Sequence, residues 1–373
     1  MRGTGFTMLD LFAGCGGLTR GFVDQGSFQS VGAVELDRAA AATYAANFDP
    51  TGRHTYAGDI AGYTEVPPVD LVIGGPPCQG FSALGKRDPA DVRNQLWREF
   101  VRIVRESRAR MFVFENVDRF AKTPEFQLLR AAAGEGGELA DFQTQVFRLN
   151  AADFGAPQKR IRTIIVGSRI GPVAEPLPTH AKVPGEARAR WVSLREAFLE
   201  GPVVLEPAVR EEWLPESSID FQGDAVPGAF KLRDLHITRN HDLTSLIRYA
   251  HIQPGQSRFQ LPEELQYACW RRHTKGAGDV LGRLQWDQPA VTIRTEFFKP
   301  EKGRFLHPQW ENGGEQINRA LTHAEAAVVQ GFDERHLWCG TKAEIARQIG
   351  NAVPPPLARA VAFSVAGRLK GAR

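Results

Sequence analysis

Cys78 occupies a position in the sequence that suits a nucleophile. The apolar run at 71–73 is typical of a buried strand; a glycine pair and two prolines follow, and the prolines hold the backbone extended just before Cys78. The loop after it is rich in glycine and basic residues, and cationic surroundings favour the reactive thiolate. A lone cysteine is more often a buried structural residue. The groups that accompany Cys78 therefore decide between the two roles.

Other polar groups follow the remaining predicted strands. Strands are predicted at 6–12, 30–34, 69–73 and 111–114, with a short one before Gly58, and helices at 18–25, 37–48 and 96–105. This alternation indicates a parallel, doubly wound sheet, whose ligands bind beyond the carboxyl ends of the strands. The groups at those ends are Asp10, Gly14, Glu35, Asp59, Cys78 and Glu115. Their convergence predicts one site at one edge of the sheet.

The glycine turn after the first strand is suited to close approach of a ligand. It contains Gly14, Gly16 and Gly17 and leads into a helix whose N-terminus favours an anionic group. Glu35 ends the second strand about 20 residues further on, where a carboxylate binds a ribose diol. Asp59 is placed to accept a hydrogen bond from an adenine amino group. A tight corner without a ligand is the alternative for the glycines, and helix capping is the alternative for Glu35.

Two arginines begin another predicted strand. Arg160 and Arg162 alternate with Ile161 ahead of the strand at 162–167, which follows a strand at 144–150. Alternate side chains share one face of a strand, so both guanidinium groups would reach an anionic or carbonyl-bearing substrate at the same edge. A surface pair engaged in salt bridges is the alternative.

The composition is that of an ordinary globular protein. The 373 residues, 42% of them hydrophobic, suffice for a large core and two domains. No apolar run reaches membrane-spanning length, and the N-terminus lacks a signal-peptide pattern. Four cysteines without paired spacing predict a reduced, intracellular protein. The net charge of +3 permits a polyanionic partner without requiring one.

Five motifs occur in order along the chain. They are Leu9-Asp-Leu-Phe-Ala-Gly-Cys-Gly-Gly17, Gly75-Pro-Pro-Cys-Gln-Gly-Phe-Ser82, Glu115-Asn-Val117, Gln158-Lys-Arg-Ile-Arg162 and Gln348-Ile-Gly-Asn-Ala-Val353. The ordered set resembles the motifs of the DNA (cytosine-5)-methyltransferases. Segments 283–293 and 321–332 are similar to the end of that family's target recognition region and to the helix after it. The resemblance covers the chain except for about 175–280, a region that varies in this family with the DNA sequence recognised.

The resemblance implies a mechanism on a flipped-out cytosine. Cys78 would attack carbon 6 of the base, and Glu115 would donate a hydrogen bond or proton to ring N3. Arg162 would hold the base carbonyl and orient Glu115, and Arg160 would support the site and a nearby phosphate. Carbon 5 would then receive a methyl group from S-adenosylmethionine.

The resemblance also implies the residues that bind S-adenosylmethionine. Phe12 would pack on the adenine, Glu35 would bind the ribose hydroxyls, and Asp59 would bind the adenine amine. The full predicted set is Asp10, Phe12, Ala13, Gly14, Gly16, Gly17, Glu35, Leu36, Asp59, Ile60, Pro77, Leu96, Asn351 and Val353.

Duplex DNA is the implied substrate, and a buried target base must be flipped out of the helix to be reached. Segment 80–94 is predicted to act as a lid on the DNA, and the region from 231 onward becomes basic with interleaved aromatic residues. The predicted DNA-binding residues are Ser82, Lys86, Arg87, Arg93, Arg239, Arg258, Arg271, Arg272, Lys299 and Arg304. No metal site is predicted, because Cys269 and His273 lack a second ligand pair.

The strand and helix pattern predicts a doubly wound, mostly parallel α/β fold, and the resemblance implies that this fold is of the S-adenosylmethionine-dependent methyltransferase type with a second, smaller target recognition domain. The expected division is 1–179 for the catalytic domain, 180–340 for target recognition and hinge, and 341–373 for the return to the catalytic domain. We expect a cytoplasmic, nucleoid-associated prokaryotic enzyme that acts as a monomer on DNA and belongs to a restriction-modification or phage-defence system. The alternatives are an RNA cytosine-5 methyltransferase, whose tRNA branch carries a Cys-Phe-Thr tripeptide absent here, and a non-catalytic DNA-binding protein on the same scaffold.

Overall fold

Strands and helices alternate through the first half of the chain, as the sequence predicts. The computed structural model describes residues 5–77, 96–201, 213–272, 278–308, 311–312 and 315–372. Five of the predicted site residues, Cys78, Ser82, Lys86, Arg87 and Arg93, lie outside the described residues, as does His273.

Seven strands form the central sheet. They are β1 (Phe6–Leu11), β2 (Phe28–Glu35), β3 (Thr55–Ala57), β4 (Leu71–Gly74), β5 (Met111–Val117), β6 (Gln143–Asn150) and β7 (Ile161–Ser168). Their order is β3-β2-β1-β4-β5-β7-β6, and β7 runs antiparallel to both of its neighbours while the other pairs are parallel. The predicted mostly parallel α/β fold is confirmed. The reversal of β7 brings its first residues to the edge where the other strands end.

Both faces of the sheet are covered because side chains alternate along its strands. Met8, Met111 and Val113 pack on one side against helices α1 (Gly17–Asp24) and α9 (Pro355–Lys370). Phe112 and Phe114 point to the other side, toward α3 (Leu96–Glu106) and α4 (Pro124–Ala132). Helix α2 (Arg38–Phe48) begins after Asp37, whose side chain accepts the N–H of Ala40. The sheet is therefore a doubly wound layer between two groups of helices.

The second half of the chain contains short elements joined by long irregular segments. They are β8 (His180–Ala181), β9 (Ala189–Arg190), the single-turn helix Glu196–Glu200, β10 (Ser218–Phe221), β11 (Asp224–Pro227), α5 (Leu243–Ala250), α6 (Ala268–Arg272), β12 (Glu311–Asn312), β13 (Glu315–Gln316), α7 (His323–Gln330) and α8 (Lys342–Asn351). A buried arginine organises part of this region. Arg283 is fully buried and donates to the carbonyl oxygens of Ile252, Tyr249 and His307 at 2.5–3.0 Å.

The C-terminal helix returns to the first half of the chain. Leu357, Val361 and Val365 of α9 share the core that contains Phe22 of α1. The two helices approach closely because Gly21 faces Ala358, and a Cβ added at Gly21 would lie 2.4 Å from the Ala358 Cβ. The predicted division at 179 and 340 stays a prediction. None of the described helices is both long and apolar enough to cross a membrane.

Candidate active site

An ion pair joins two antiparallel strands at the edge of the sheet where β1, β2, β4 and β5 end. Glu115 lies near the end of β5 and Arg162 near the start of β7, where Arg162 pairs with Val117 in the ladder. Arg162 Nε lies 2.7 Å from Glu115 Oε1, and both side chains are only 11% exposed. This charge-assisted hydrogen bond restrains the position of the carboxyl group. The structure thus brings together two of the four residues predicted to be catalytic.

The segment that leads into Cys78 is tied to the same strand. Asn116 Nδ2 donates to the carbonyl oxygen of Pro76 at 3.0 Å. Gly75 lies so close to Glu115 that an added Cβ would be 2.7 Å from Glu115 Oε2. The backbone before Cys78 is therefore held against the Glu115 carboxyl group, although Cys78 itself lies outside the described residues.

Arg160 is buried and binds backbone rather than surface carboxylates. Its Nη1 donates to Ile293 O at 2.7 Å, and its Nη2 donates to Gly350 O at 2.9 Å. Burial, and then the charge of Arg162, lower the pKa of this guanidinium. Arg160 thus connects the start of β7 with two distant motif segments. Its predicted support of a nearby phosphate stays a prediction.

Gln158 is a structural connector that the sequence interpretation did not assign. Its Nε2 donates to Val329 O at 3.0 Å and to Gln330 Oε1 at 2.5 Å, and its Oε1 accepts the N–H of Ile293 at 3.2 Å. Gln330 in turn donates to Ile349 O. Two adjacent buried amides therefore link segments at 158, 293, 330 and 349. Their only signal in the sequence is their position inside motifs.

The glycine turn after β1 combines open space with tight packing. Gly14 has a φ of +56° and nothing within 4 Å of an added Cβ, which leaves room for a ligand beside it. An added Cβ at Gly16 would lie 2.4 Å from the Phe48 ring, and one at Gly17 would lie 2.4 Å from Val353 O. Gly16 and Gly17 are thus required by the packing of α1, and only Gly14 is open toward a ligand.

The carboxylate at the end of β2 braces this turn. Glu35 Oε2 accepts the N–H of Gly14 at 2.8 Å, and Oε1 accepts the N–H of Asp37 at 2.7 Å. Burial raises the pKa of Glu35. The adjacent Leu36 side chain is 73% exposed. An exposed apolar group beside a fixed carboxylate is suited to a nucleoside, with a ring on Leu36 and hydroxyls on Glu35.

Asp10 lies beneath the turn rather than on its surface. It is 1% exposed and accepts a 2.6 Å hydrogen bond from the Thr19 hydroxyl, which lies 3.1 Å from the Tyr44 hydroxyl. Burial raises the pKa of Asp10 to about 7. The structure therefore places Asp10 in a buried network behind the predicted cofactor position.

The other predicted cofactor residues lie along the same edge or near it. Asp59 is exposed, and its Oδ1 accepts the N–H of Ala61 at 2.9 Å. Ile60 is buried, whereas Asn351 and Pro77 are exposed. Phe12, Ala13, Leu96 and Val353 are half-buried or buried. Phe12 has a φ of +57°, a left-handed conformation that is uncommon for an aromatic residue and is concentrated at functional sites.

Three cysteines lie within the described residues, and none has the surroundings of a nucleophile at this edge. Burial raises the pKa of Cys15 and of Cys339 to about 12. Cys269 is exposed on α6, in the second half of the chain. Among the described residues, no group of three or more His, Cys, Asp or Glu side chains is arranged to hold a metal ion.

The predicted DNA-binding residues differ in exposure. Arg271 and Arg272 are exposed on α6. Arg239 pairs with Glu301 at 2.7 Å, and Lys299 pairs with Glu296 at 2.5 Å. Arg258 is buried, with its guanidinium 4.5 Å from the Phe259 ring centroid. Arg304 donates to the carbonyl oxygens of Gln256 and Arg283. Arg258 and Arg304 thus lie within the packing of the region instead of projecting from it.

The family model of the C-5 cytosine-specific DNA methylases matches residues 6–366 of the chain. The chain belongs to this family. This C-5 cytosine-specific DNA methylase is 31% identical to the Type II methyltransferase M1.HphI of Haemophilus parahaemolyticus, over 96% of the chain and 86% of that protein. It is 30% identical to the Type II methyltransferase M.DdeI of Desulfomicrobium norvegicum, over 95% of the chain and 87% of that protein.

Solved structures show the same fold. A putative DNA modification methyltransferase encoded within a prophage of E. coli superposes with a TM-score of 0.68 at 23% identity, covering 98% of this chain and 99% of that one. The Entamoeba histolytica methyltransferase EhMeth superposes with a TM-score of 0.61 at 12% identity over 98% and 99% of the two chains. Family membership makes the protein a DNA (cytosine-5)-methyltransferase, and the family and fold imply that it uses S-adenosylmethionine.

Proposed function

We propose that this DNA methylase transfers a methyl group to carbon 5 of one flipped-out cytosine within a specific duplex DNA sequence, through a covalent adduct with Cys78. The observation that carries the proposal is the Glu115–Arg162 pair, 2.7 Å long and almost buried, at the strand edge beside Gly75 and Pro76. Two charged groups fixed next to the segment that enters Cys78 form a site for one polar ring.

Cys78 is the proposed nucleophile. Its thiolate bonds to carbon 6 of the cytosine, and this addition makes carbon 5 electron-rich. After carbon 5 has been methylated and has lost its proton to a base, the carbon–sulfur bond breaks. The thiolate leaves and the 5,6 double bond is restored, so that atoms and charge balance over the cycle.

Glu115 and Arg162 hold and polarise the base. Once it carries a proton, the carboxyl group of Glu115 donates to ring N3, which withdraws electrons from carbon 6 and favours attack by sulfur. Arg162 keeps one Glu115 oxygen occupied and donates to the base carbonyl. The second oxygen, Oε2, faces Gly75. The absence of a side chain at Gly75 leaves room for this oxygen next to the proposed position of the base.

The residues in and around the glycine turn after β1 fit S-adenosylmethionine. When bound, this cofactor supplies an electrophilic methyl group on a sulfonium. Gly14 leaves open space at the turn, and Glu35 is suited to the ribose hydroxyls. Exposed Leu36 and half-buried Phe12 are suited to the adenine ring. Asp59 would accept from the adenine amine, and Asn351 and Val353 would close the methionine side.

The DNA contacts complete the proposal. The base is extruded from the duplex before it reaches Glu115. Segment 80–94, with Ser82, Lys86, Arg87 and Arg93, would close over the DNA. Exposed Arg271 and Arg272 are suited to reading or positioning the duplex, together with Arg239 and Lys299.

The biological setting follows from the relatives, which are Type II methyltransferases. We propose that this methylase protects or marks DNA in a restriction-modification or phage-defence system. It would act as a monomer in the prokaryotic cytoplasm, associated with the nucleoid. The family model and these relatives do not favour the RNA methyltransferase or the non-catalytic DNA-binding protein.

Nucleoside analysis tests the proposed reaction. The protein is incubated with S-adenosylmethionine and a long unmethylated phage DNA, which contains many short recognition sequences, and the digest is analysed by mass spectrometry. We expect 5-methylcytosine in the DNA, and a loss of at least about 100-fold in its formation for Glu115→Gln. The matched control is Glu135→Gln, which changes an exposed carboxylate in the loop after α4.

Two results would overturn the proposal. One is methylation of tRNA but not of DNA, which would favour the RNA enzyme. The other is sequence-specific DNA binding without any methylated product, which would favour the non-catalytic protein. Bisulfite sequencing of the product identifies the recognised sequence and the cytosine within it.

A further inference from the structure

A cavity of about 340 Å³ lies next to the catalytic strand ends. It is formed by the 3₁₀ segment Asp118–Lys122, which follows β5 directly, and by β6 and β7. The side chains that matter for its chemistry are Asp118, Arg119, Lys122, Arg148 and Thr163. Its volume lies at the lower end of the range of about 300–1,000 Å³ that is typical of small-ligand sites.

The charged side chains that line the cavity are mostly cationic. Arg148 binds Asp118 through two hydrogen bonds of 2.6 and 3.2 Å. The hydrogen bond from Arg148, and further the charges of Arg148, Lys122 and Arg162, lower the pKa of Asp118. Asp118 therefore neutralises Arg148, and Arg119 and Lys122 remain. Within the described residues, neither of these two has a carboxylate at ion-pair distance.

The two remaining cations share one face. Arg119 and Lys122 are three residues apart in a 3₁₀ helix, where side chains at i and i+3 eclipse each other. The segment is anchored by Phe120, which is 2% exposed and packs on Phe114 and Phe126. The buried Phe120 side chain thus anchors the backbone segment that carries both Arg119 and Lys122.

The cavity is lined by residues that are close in sequence to the Glu115–Arg162 pair. Asp118 follows Glu115 by only three residues, and the Thr163 hydroxyl donates to Asp118 O at 3.4 Å, directly after Arg162 in β7. A flipped nucleotide stays joined to its strand through two phosphates, so its backbone must pass close to the edge that binds the base. A cationic cavity next to this edge would therefore lie close to a phosphate of the target strand whenever a base is flipped out.

We propose that this cavity binds a backbone phosphate of the DNA strand that carries the target cytosine. Arg119 and Lys122 contact the phosphate oxygens, and the ion pair of Asp118 and Arg148 forms the adjoining wall. The proposal rests on the proposed function and adds residues to it that lie outside the lid and the recognition region. Because the contact is to phosphate, it contributes affinity without selecting a sequence.

The salt dependence of DNA binding tests the proposal. The variant is Arg119→Ala with Lys122→Ala, and the control is Arg359→Ala with Lys370→Ala, which removes two exposed cations from α9. Each phosphate contact contributes about 0.9 to the slope of log K against log salt. Between 50 and 200 mM salt, the wild-type affinity is therefore expected to fall about 12-fold more than that of the double variant, if two contacts are lost.

Three further readouts separate this role from others. The loss of affinity is expected to be equal on target and non-target duplexes, and kcat at saturating DNA is expected to stay within twofold. Asp118→Asn removes a negative charge and releases Arg148, so its slope is expected to be steeper than that of the wild type. The melting temperature of each variant checks folding. Inorganic phosphate at equal ionic strength is added as a competitor.

The proposal is overturned if the double variant matches the control in slope and affinity, or if its defect appears only on the target sequence. Competition by millimolar inorganic phosphate that is equally strong in the double variant would also overturn it, because the competing anion would then bind at another site. If the wild-type protein itself shows no salt-dependent DNA binding, the proposed function fails as well, and this outcome is distinct from the others.

Discussion

Gly75 has no side chain at the point where the backbone passes the Glu115 carboxyl group. A Cβ added there would lie 2.7 Å from Glu115 Oε2, well inside van der Waals contact. The carboxyl group cannot swing away freely, because its Oε1 is held by Arg162 Nε at 2.7 Å. In Gly75→Ala, either the ion pair lengthens or the backbone before Cys78 moves. Both changes misplace a group that the proposed reaction requires.

The size of the effect follows from the bond at risk. A hydrogen bond to a charged group contributes about 1.5–3 kcal/mol. Since each 1.36 kcal/mol changes a rate tenfold, losing this bond in the transition state corresponds to about 10- to 150-fold in kcat. The affinity for DNA depends on other residues and is expected to change less than about threefold.

Single-turnover methylation with saturating DNA measures this effect, and Gly185→Ala is the matched control. Gly185 has an ordinary backbone conformation, and nothing lies within 4 Å of an added Cβ. The reasoning is refuted if Gly75→Ala keeps its rate within twofold of the control, or if its loss of rate is explained entirely by weaker DNA binding.

Three other predictions concern stability. Burial raises the pKa of Asp10 to about 7 in the folded protein, against 3.8 for the free side chain, so the wild type loses about 1.4 kcal/mol of stability per pH unit between these values. Asp10→Asn is therefore expected to gain stability relative to the wild type as the pH rises from 5 to 7. A difference in melting temperature that stays constant over that range would contradict this. Although burial alone would raise the pKa of Glu325, the Arg319 guanidinium lowers it to about 2. Breaking this buried pair with Glu325→Gln should destabilise the fold by about 3–5 kcal/mol in urea unfolding, whereas Arg335→Gln, at an exposed pair, should cost at most about 1 kcal/mol. Gly367 lies exposed within α9 with open space around it, so Gly367→Ala should raise stability by about 0.8–1 kcal/mol, and an unchanged or lower urea midpoint would be evidence against it.

Strand positions were predictable because strands that are buried on both faces of a sheet appear in the sequence as short apolar runs. The predicted strands at 6–12, 69–73 and 111–114 correspond to β1, β4 and β5 within a few residues. The direction of β7 was not predicted. A parallel connection needs a crossover of a dozen or more residues, and the short segment 151–160 between β6 and β7 is a signal for the reversal that the sequence interpretation left unused.

The glycine motif shows why a pattern can indicate a site without explaining each residue. Gly14, Gly16 and Gly17 were all predicted to approach the cofactor. The structure separates them: Gly16 faces Phe48 and Gly17 faces Val353 O, so two of the three are required by packing. Contacts between segments more than 300 residues apart leave no trace in local spacing.

Basic residues in the recognition region could not be sorted by sequence. Arg258 and Arg304 were predicted to bind DNA together with Arg271 and Arg272, since a run of charges carries no information on burial. In the structure Arg258 is buried beside Phe259, while Arg271 and Arg272 are exposed. Gln158 was missed for the same reason, because its partners Val329 and Gln330 meet it only in the folded chain.

The most direct test of the account is covalent trapping on duplex DNA that carries 5-fluorocytosine at the target position. Fluorine at carbon 5 cannot leave as a proton does, so the bond between Cys78 and carbon 6 persists after methyl transfer. With S-adenosylmethionine present, the account predicts a denaturant-resistant complex whose mass equals protein plus DNA plus one methyl group, and no such complex for Cys78→Ser. Methylation of ordinary target DNA without any adduct on the fluorinated duplex, or an adduct that survives in Cys78→Ser, would contradict it.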